Sequence, residues 1–458
     1  MAENEKLVPA DAPSAPGHPS GHVELEDADT GPMSGRSYLG LFSVLIVIFG
    51  IIALLVYAGV GPLEEQGAEA PAAPTENASP ATSSSAAAPS ESSAPQNLNA
   101  PAVPSAGNGG YAALPGPDTV ITKIAFGSCL DENGPMDILN AIAAQKPQLF
   151  IFEGDNIYAD ASEKDENDPG TREVTSPLMI RTAYATLGAQ ALYKSFKSQV
   201  PIIATWDDHD YGLNDAGGDF AFKQASKEAF FDFFALSKDS ERYKQDGGIY
   251  TSYTFGPKGQ RVQIILLDTR WNRSPLKPSD APGTPGKERY IPDRDTSKTM
   301  LGDAQWKWLE QQLIEPADVR LLASSIQVLA EGHGWERWGN LPYERDRLMQ
   351  ALNDSDAKNI VILSGDRHKA AIYKNNNALP YSLYEVTSSS LNKPLTGTSE
   401  PDETDPQRQD AFYKGANFGM VDIDWQARAI NLEIRDKAGQ LVHGVSVPFT
   451  EETPDQGQ

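Results

Sequence analysis

The sequence predicts an α/β protein in which strands linked by crossover helices bring several strand ends to one crevice. Three observations carry this reading. Four apolar runs rich in β-branched residues, at 121–126, 149–152, 200–204 and 360–363, have the length and composition of buried strands. Each leads into a short polar stretch: Phe126-Gly127-Ser128-Cys129, Gly154-Asp155-Asn156-Ile157-Tyr158, Trp206-Asp207-Asp208-His209-Asp210 and Ser364-Gly365-Asp366-Arg367-His368. Segments of helical periodicity lie between them. In sheets served by crossover helices, chemistry gathers beyond the strand ends.

The elements follow in order. Residues 136–144 and 178–198 read as helices, and 220–236 carries a dense apolar and aromatic face at helical spacing. Residues 262–268 form a strand, and 303–314 a helix opened by an Asp cap. A strand at 319–329 and a helix at 343–352 come next. After His368 the pattern is all β, with strands at 381–387, 419–424, 429–435 and 441–449 and a turn at Lys437-Ala438-Gly439. Residues 275–299 and 391–415 are polar insertions containing Pro and Gly.

Before this domain, assigned to residues 118–458, the texture differs. Residues 38–60 carry no charged side chain, enough length for one transmembrane helix through a lipid bilayer. Arg36 precedes the span, Glu64 and Glu65 follow it, and no Lys or Arg recurs until Lys123. Basic residues stay on the cytoplasmic side. The expectation is a single-pass membrane protein with a disordered cytoplasmic head, residues 1–37, and a periplasmic or extracellular domain. Residues 61–117, rich in Ala, Pro and Ser, cannot bury enough surface to offset chain entropy and read as a disordered stalk or linker. The net charge of −25 argues against nucleic acid as a partner, because phosphate backbones need cationic contacts. The single cysteine, Cys129, excludes an intramolecular disulfide.

The polar stretches have the chemistry of metal-assisted phosphate-ester hydrolysis. Two cations about 3.5–4 Å apart neutralise ester oxygens and generate hydroxide near neutral pH. A carboxylate must bridge them, and Asp155, after a glycine that permits close approach, is the natural choice. Cys129 and Tyr158 together suit ferric iron, whereas Asp oxygens suit Ca2+, Mg2+ or Mn2+. Asp208 is the candidate ligand of the third stretch, with Asp207 and Asn214 as alternatives. Alternation along an extended chain would turn His209 away from Asp208, toward a leaving oxygen, as an acid catalyst. Asp366 and His368, spaced i and i+2, would share one strand face as metal ligands. Arg367 would point the other way, to bind substrate or close a surface salt bridge. His333, in a loop with Trp335 and Trp338, is a second candidate for substrate binding.

Six segments in order, "FGSC", "FEGDNIYAD", "TWDDHD", "LLDTR", "SSIQVLAEGHGWERWGNLPYER" and "LSGDRH", resemble the PhoD-like family of alkaline phosphatases and phosphodiesterases, within the metallophosphoesterase superfamily. The resemblance implies a four-layer α/β/β/α sandwich. It implies an iron (Fe3+) site of Cys129, Asp155, Tyr158 and His368, beside calcium (Ca2+) with Asp155, Asp208 and Asp366 among its ligands. Family members often carry a β-sandwich domain where this chain has its stalk, and many have a twin-arginine signal where this chain has Arg36 alone. The expectation is a membrane-anchored phosphomonoesterase or phosphodiesterase that uses metal-activated hydroxide on small phosphate esters. The alternative is a non-catalytic envelope protein that binds metal or a phosphorylated ligand.

Overall fold

In the computed structural model, which describes residues 109–160, 174, 176–395 and 403–450, the four apolar runs are strands buried along nearly their whole length. β1 (Lys123–Gly127), β2 (Leu149–Glu153) and β3 (Ile202–Thr205) are parallel neighbours. β1 also pairs antiparallel with β10 (Asn417–Asp424), and β11 (Ala429–Asp436) and β12 (Leu441–Pro448) extend that edge. A second sheet holds β4 (Thr251–Phe255), β5 (Val262–Leu266), β6 (Val319–Ser324), β7 (Ile360–Ser364), β8 (Ala370–Asn375) and β9 (Leu383–Ser388), in the order β4-β5-β6-β7-β9-β8.

Side-chain alternation produces the layers. In β1 and β2, Ile124, Phe126, Leu149 and Ile151 face the second sheet, meeting Ile264, Leu266, Leu321, Val361 and Leu363. Their neighbours Ala125, Phe150 and Phe152 face outward, under helices α1 (Ile138–Ala144), α2 (Pro177–Ala189), α3 (Ala191–Gln199) and α5 (Lys223–Phe233). On the far side, Ile265, Leu322, Ile360 and Ile362 pack against α7 (Gly302–Leu313) and α8 (Pro342–Asp354) through Trp306, Leu309, Leu313, Leu348 and Leu352. Three apolar cores between four layers make the α/β/β/α sandwich; each fully buried aliphatic side chain contributes roughly 1.5–3 kcal/mol.

Several boundaries differ from the sequence reading. The expected helix at 178–198 is two, because Gln190 is extended (φ −62°, ψ 129°) and ends α2. α7 has no Asp cap: Leu301 occupies that position, and Asp303 lies in the first turn. Strands β4 and β8, at the two sheet edges, were not anticipated. The last nine residues of the expected linker, 109–117, pack on the domain. Tyr111 donates to the Phe233 carbonyl at 3.0 Å, Ala112 N donates to Lys197 O at 2.7 Å, and Leu114 is buried. The expected cytoplasmic head, the bilayer span at 38–60 and linker residues 61–108 lie outside the described residues. Among the described residues, no helix is long and apolar enough to cross a membrane.

Candidate metal centre

β1, β2, β3 and β7 end beside one another, and the residues just beyond them form the site. Cys129 (φ 61°), Asp155 (φ 49°), Asp366 (φ 69°) and His368 (φ 52°) all take left-handed backbone conformations. For a non-glycine residue this costs roughly 1–2 kcal/mol, and such strain concentrates at functional sites. Gly154 (φ 106°) is required for the close approach: a Cβ there would lie 2.6 Å from the Asp207 nitrogen. The strand ends could not meet with a larger residue at that position.

The expected ligands come together in overlapping clusters. Cys129 Sγ lies 3.4 Å from Asp155 Oδ2. Tyr158 donates to the same oxygen at 3.1 Å, and its hydroxyl is 3.1 Å from His368 Nε2. Ser389 Oγ is 3.1 Å from the thiol and accepts from His368 N at 2.7 Å. Cys129, Asp155 and His368 thus offer ligand atoms within 4.8 Å of one another, as do Asp155, Asp208 and His209, and again Asp207, Asp208 and Asp366. A fourth cluster, Asp208, Asp215 and Glu336, was not foreseen. Asp155 and Asp208 each belong to more than one cluster.

Two local readings are corrected. Residues 207–210 do not continue the strand. Asp207 and Asp210 form a capping box, with Asp207 N donating to Asp210 Oδ1 at 2.7 Å, so the chain turns into the one-turn helix α4 (Asp208–Tyr211). Asp208 and His209 therefore do not point to opposite sides, and both approach Asp155. Likewise β7 ends at Ser364, and Asp366 and His368 sit in a left-handed loop rather than on one strand face. Asp366 joins the all-carboxylate cluster, and His368 joins Cys129 and Asp155.

Burial dominates the electrostatics. It pushes the Cys129 thiol up to about 11 and the Tyr158 phenol well above its ordinary range. It also raises Asp155 and Asp366 well above the carboxylate range, and Asp207 to about 7 despite the Arg270 guanidinium. Asp208 is the exception: burial raises it, but His209 and Arg270 outweigh burial and hold it below the usual range. Burial drives His368 down to about 3, leaving a neutral imidazole, the form that ligates metals. Acids this desolvated ionise together only when positive charge is placed among them. The donor set fits metal ions: a mixed sulfur, oxygen and nitrogen group beside an all-oxygen group.

His209 Nδ1 lies 2.6 Å from Asp160 Oδ1. Asp160 Oδ2 accepts from Asn214 N at 2.8 Å, so Asn214, one alternative for the third ligand, engages Asp160 through its backbone. Asp207, the other alternative, binds Arg270 Nε at 2.6 Å and also faces Asp366. Arg270, fully buried, reaches Glu336 Oε2 at 2.6 Å, and Arg273 reaches Glu336 Oε1 at 2.9 Å. The Glu336 oxygens lack hydrogen-bond alignment, so these contacts are ionic.

The two substrate-binding candidates sit elsewhere than expected. His333 is fully buried, its Nε2 2.9 Å from Gln327 Oε1 and its Nδ1 accepting from Trp335 N at 3.1 Å. With both nitrogens engaged it braces its loop. Arg367 is buried rather than at the surface, donating to Glu403 Oε1 at 2.7 Å with its guanidinium 5.7 Å from the Trp335 ring centre. Asp160, Asp215, Arg270, Arg273, Glu336 and Ser389 were missed. Asp160, Arg270 and Glu336 all lie within motif segments, where charged residues beside apolar ones were the available signal; Ser389 gave none.

Two sandwiched sheets with buried thiol, phenol, imidazole and carboxylate groups at their strand ends define an α/β protein with a metal-binding centre. The model of the PhoD-like phosphatase family matches residues 124–434, more than half of the chain, and the chain belongs to that family. Over 283 residues it is 25% identical to alkaline phosphatase D of Bacillus subtilis (strain 168), a match covering 56% of this chain and 47% of that protein. The chain therefore spans about half the length of the curated relative it matches. A solved structure of PhoD superposes with a TM-score of 0.55 at 20% identity, covering 72% of this chain and 69% of that one. That likeness shows the fold.

Proposed function

We propose that this chain is a metal-dependent phosphoric ester hydrolase acting on phosphomonoesters or phosphodiesters. The observation that carries the proposal is the convergence of Cys129, Asp155 and His368 with Asp207, Asp208 and Asp366 at four strand ends, with Asp155 and Asp208 shared between clusters. Family membership supports it. Fe3+ suits Cys129, Asp155, Tyr158 and His368, and Ca2+, with Mg2+ or Mn2+ as alternatives, suits Asp155, Asp208 and Asp366. When bound, such ions supply positive charge at the phosphoryl oxygens and acidify a water molecule.

The chain's own groups then divide the work. Asp155 offers both oxygens: Oδ2 toward Cys129 and Tyr158, Oδ1 toward the His209 backbone at 3.4 Å. Asp160 fixes the His209 ring through Nδ1, leaving Nε2 to give a proton to the leaving oxygen. Arg270 holds Asp207 from behind. The charge-free stretch at 38–60 would tether the enzyme to a bilayer, with its N-terminus cytoplasmic and the catalytic domain periplasmic or extracellular. Washed membranes should retain the full chain, and a chain starting after residue 60 should be released.

Asp155→Ala should reduce hydrolysis of nitrophenyl mono- and diesters to background with Fe3+ and Ca2+ present, while circular dichroism shows an intact fold. Full turnover in that variant, or no turnover by the wild type on either ester, would overturn the assignment.

A further inference from the structure

A cleft of about 610 Å³ opens between α5, the four-residue helix α6 (Glu241–Lys244), the loop after β5 and the first turn of α7. None of its lining residues belongs to the metal-ligand clusters. Lys227, Lys238, Lys244, Tyr243 and Trp271 line it, with Asp246 and Asp303 as its acids. Three ammonium groups facing two carboxylates run against the average of a chain with net charge −25.

Lys227 is the buried cation of this cleft. It is only 4% exposed. Its ammonium lies 5.5 Å from the Tyr243 ring centre and 5.4 Å from that of Trp271, and donates to the Gln245 carbonyl at 3.0 Å. No carboxylate among the described residues pairs with it. Two ring faces, one carbonyl and the charges of Asp268 and Asp246, neither within ion-pair distance, offset only part of the cost of desolvating this ammonium, and burial still lowers its pKa; two of its three N–H bonds have no acceptor among the described residues. Lys238 is held by Asp232 at 2.7 Å, whereas Lys244 is exposed and has no partner among the described residues. The cleft therefore presents one buried and one exposed ammonium to an anion.

The rings narrow the class of anion. Lys223 and Lys227 lie over the Trp271 ring, and Trp206 stacks parallel to it with centroids 6.3 Å apart. Those contacts leave little open face for a nucleobase. A compact oxyanion with several acceptor oxygens matches the two ammonium groups. We propose that this cleft binds a phosphate-class oxyanion, either free phosphate or the phosphoryl group of a small molecule, between Lys227 and Lys244. The site does not depend on the hydrolase reading. It is joined to the metal centre through sequence neighbours: Trp271 follows Arg270, and Trp206 precedes Asp207.

The test is equilibrium dialysis of the full chain against inorganic phosphate, with the Asp155→Ala chain run in parallel to separate uptake at the metal centre. Saturable binding should persist in Asp155→Ala. In that background Lys227→Met and Lys244→Glu should each weaken it by at least about tenfold, the scale of one charged hydrogen bond. Methylphosphonate bound as tightly as phosphate would assign the site to organic phosphoryl groups; phosphonate bound about tenfold more weakly would assign it to free phosphate. Lys244 is exposed, so its variant decides the matter even if Lys227→Met does not fold. Absence of saturable binding in Asp155→Ala, or binding that Lys244→Glu leaves within about twofold, would overturn the proposal.

Discussion

Replacing Asp160 with asparagine tests how His209 works. In the native chain His209 Nδ1 is 2.6 Å from Asp160 Oδ1, and the two side chains are 13% and 3% exposed. Burial disfavours the imidazolium, but the carboxylates of Asp160, Asp208 and Asp155 overcome it and raise the His209 pKa well above its ordinary value. Asparagine would keep its oxygen on Asn214 N and turn its amide nitrogen toward Nδ1. The ring would then accept at Nδ1 and settle as neutral imidazole, a much weaker acid at Nε2. A charge-assisted hydrogen bond is worth about 1.5–3 kcal/mol, which converts to roughly a 10- to 150-fold fall in kcat. The loss should depend on the leaving group. An alkyl alkoxide needs the proton in the transition state, whereas nitrophenolate leaves well without it. Asp160→Asn should therefore lose its full factor on an alkyl phosphate ester and less than about threefold on the nitrophenyl ester, with KM nearly unchanged on both. Equal losses on both substrates, or no loss on the alkyl ester, would refute the assignment of Asp160 as a positioning residue.

Three further outcomes are expected. Arg270→Met leaves Asp207 and Glu336 buried with one cation fewer, so urea unfolding should show about 3–5 kcal/mol less stability; a loss below about 1 kcal/mol would contradict the ionic reading of that contact. Burial, helped by the charges of Arg367, Arg337 and Lys369, holds His333 neutral with a pKa well below its ordinary value. The unfolded chain then takes up this proton first, and stability falls as pH drops below about 6.5. The stability advantage of wild type over His333→Gln should therefore shrink between about pH 7 and pH 5, by up to about 1.4 kcal/mol per pH unit; a constant difference would show that His333 does not titrate this way. Finally, iron-loaded protein should absorb visible light through the Tyr158 phenolate, and Tyr158→Phe should lose that band while retaining iron. A colourless, iron-loaded wild type would end the ferric proposal.

What was legible in the sequence, and what was not, follows from the range of the forces involved. The strands before Cys129, Asp155, Asp207 and Asp366 could be read because buried parallel strands need continuous apolar runs. Cys129, Asp155, Tyr158, Asp208, Asp366 and His368 stand out as candidate ligands through the recurrence of polar stretches after four buried strands and the family resemblance of those stretches; singly, each has a commoner structural role. Their orientations could not be read. Period-2 reasoning holds only while the backbone is extended, and it failed at Asp208 and Asp366, where a capping box and left-handed residues redirect the chain. The partners of the ligands were hidden for a different reason. Arg270 lies 63 residues from Asp207, and Asp160 lies 49 from His209. No local pattern distinguishes a charge paired across such a distance from one facing solvent. The domain edge was misplaced because composition weighs Ala, Pro and Gly and overlooks single anchors such as Tyr111 and Leu114.

The left-handed residues tie the site's geometry to its stability. Cys129, Asp155, Asp366 and His368 each carry backbone strain of roughly 1–2 kcal/mol, and together these are comparable with the net stability of a whole domain. The same residues bring desolvated acids into contact, which adds to the cost. Neither term aids folding, so the rest of the structure must hold the arrangement: three apolar cores, the Ser389 hydroxyl on Cys129 and His368, and the Arg270 guanidinium behind Asp207. A cation bound among these donors would favour the ionised acids and the folded state, and would so couple strain and metal affinity through folding. A glycine at 129 or 366 would relieve the strain but remove a candidate ligand. The four candidate ligands thus combine unfavourable backbone conformations with side chains that converge from separate strand ends.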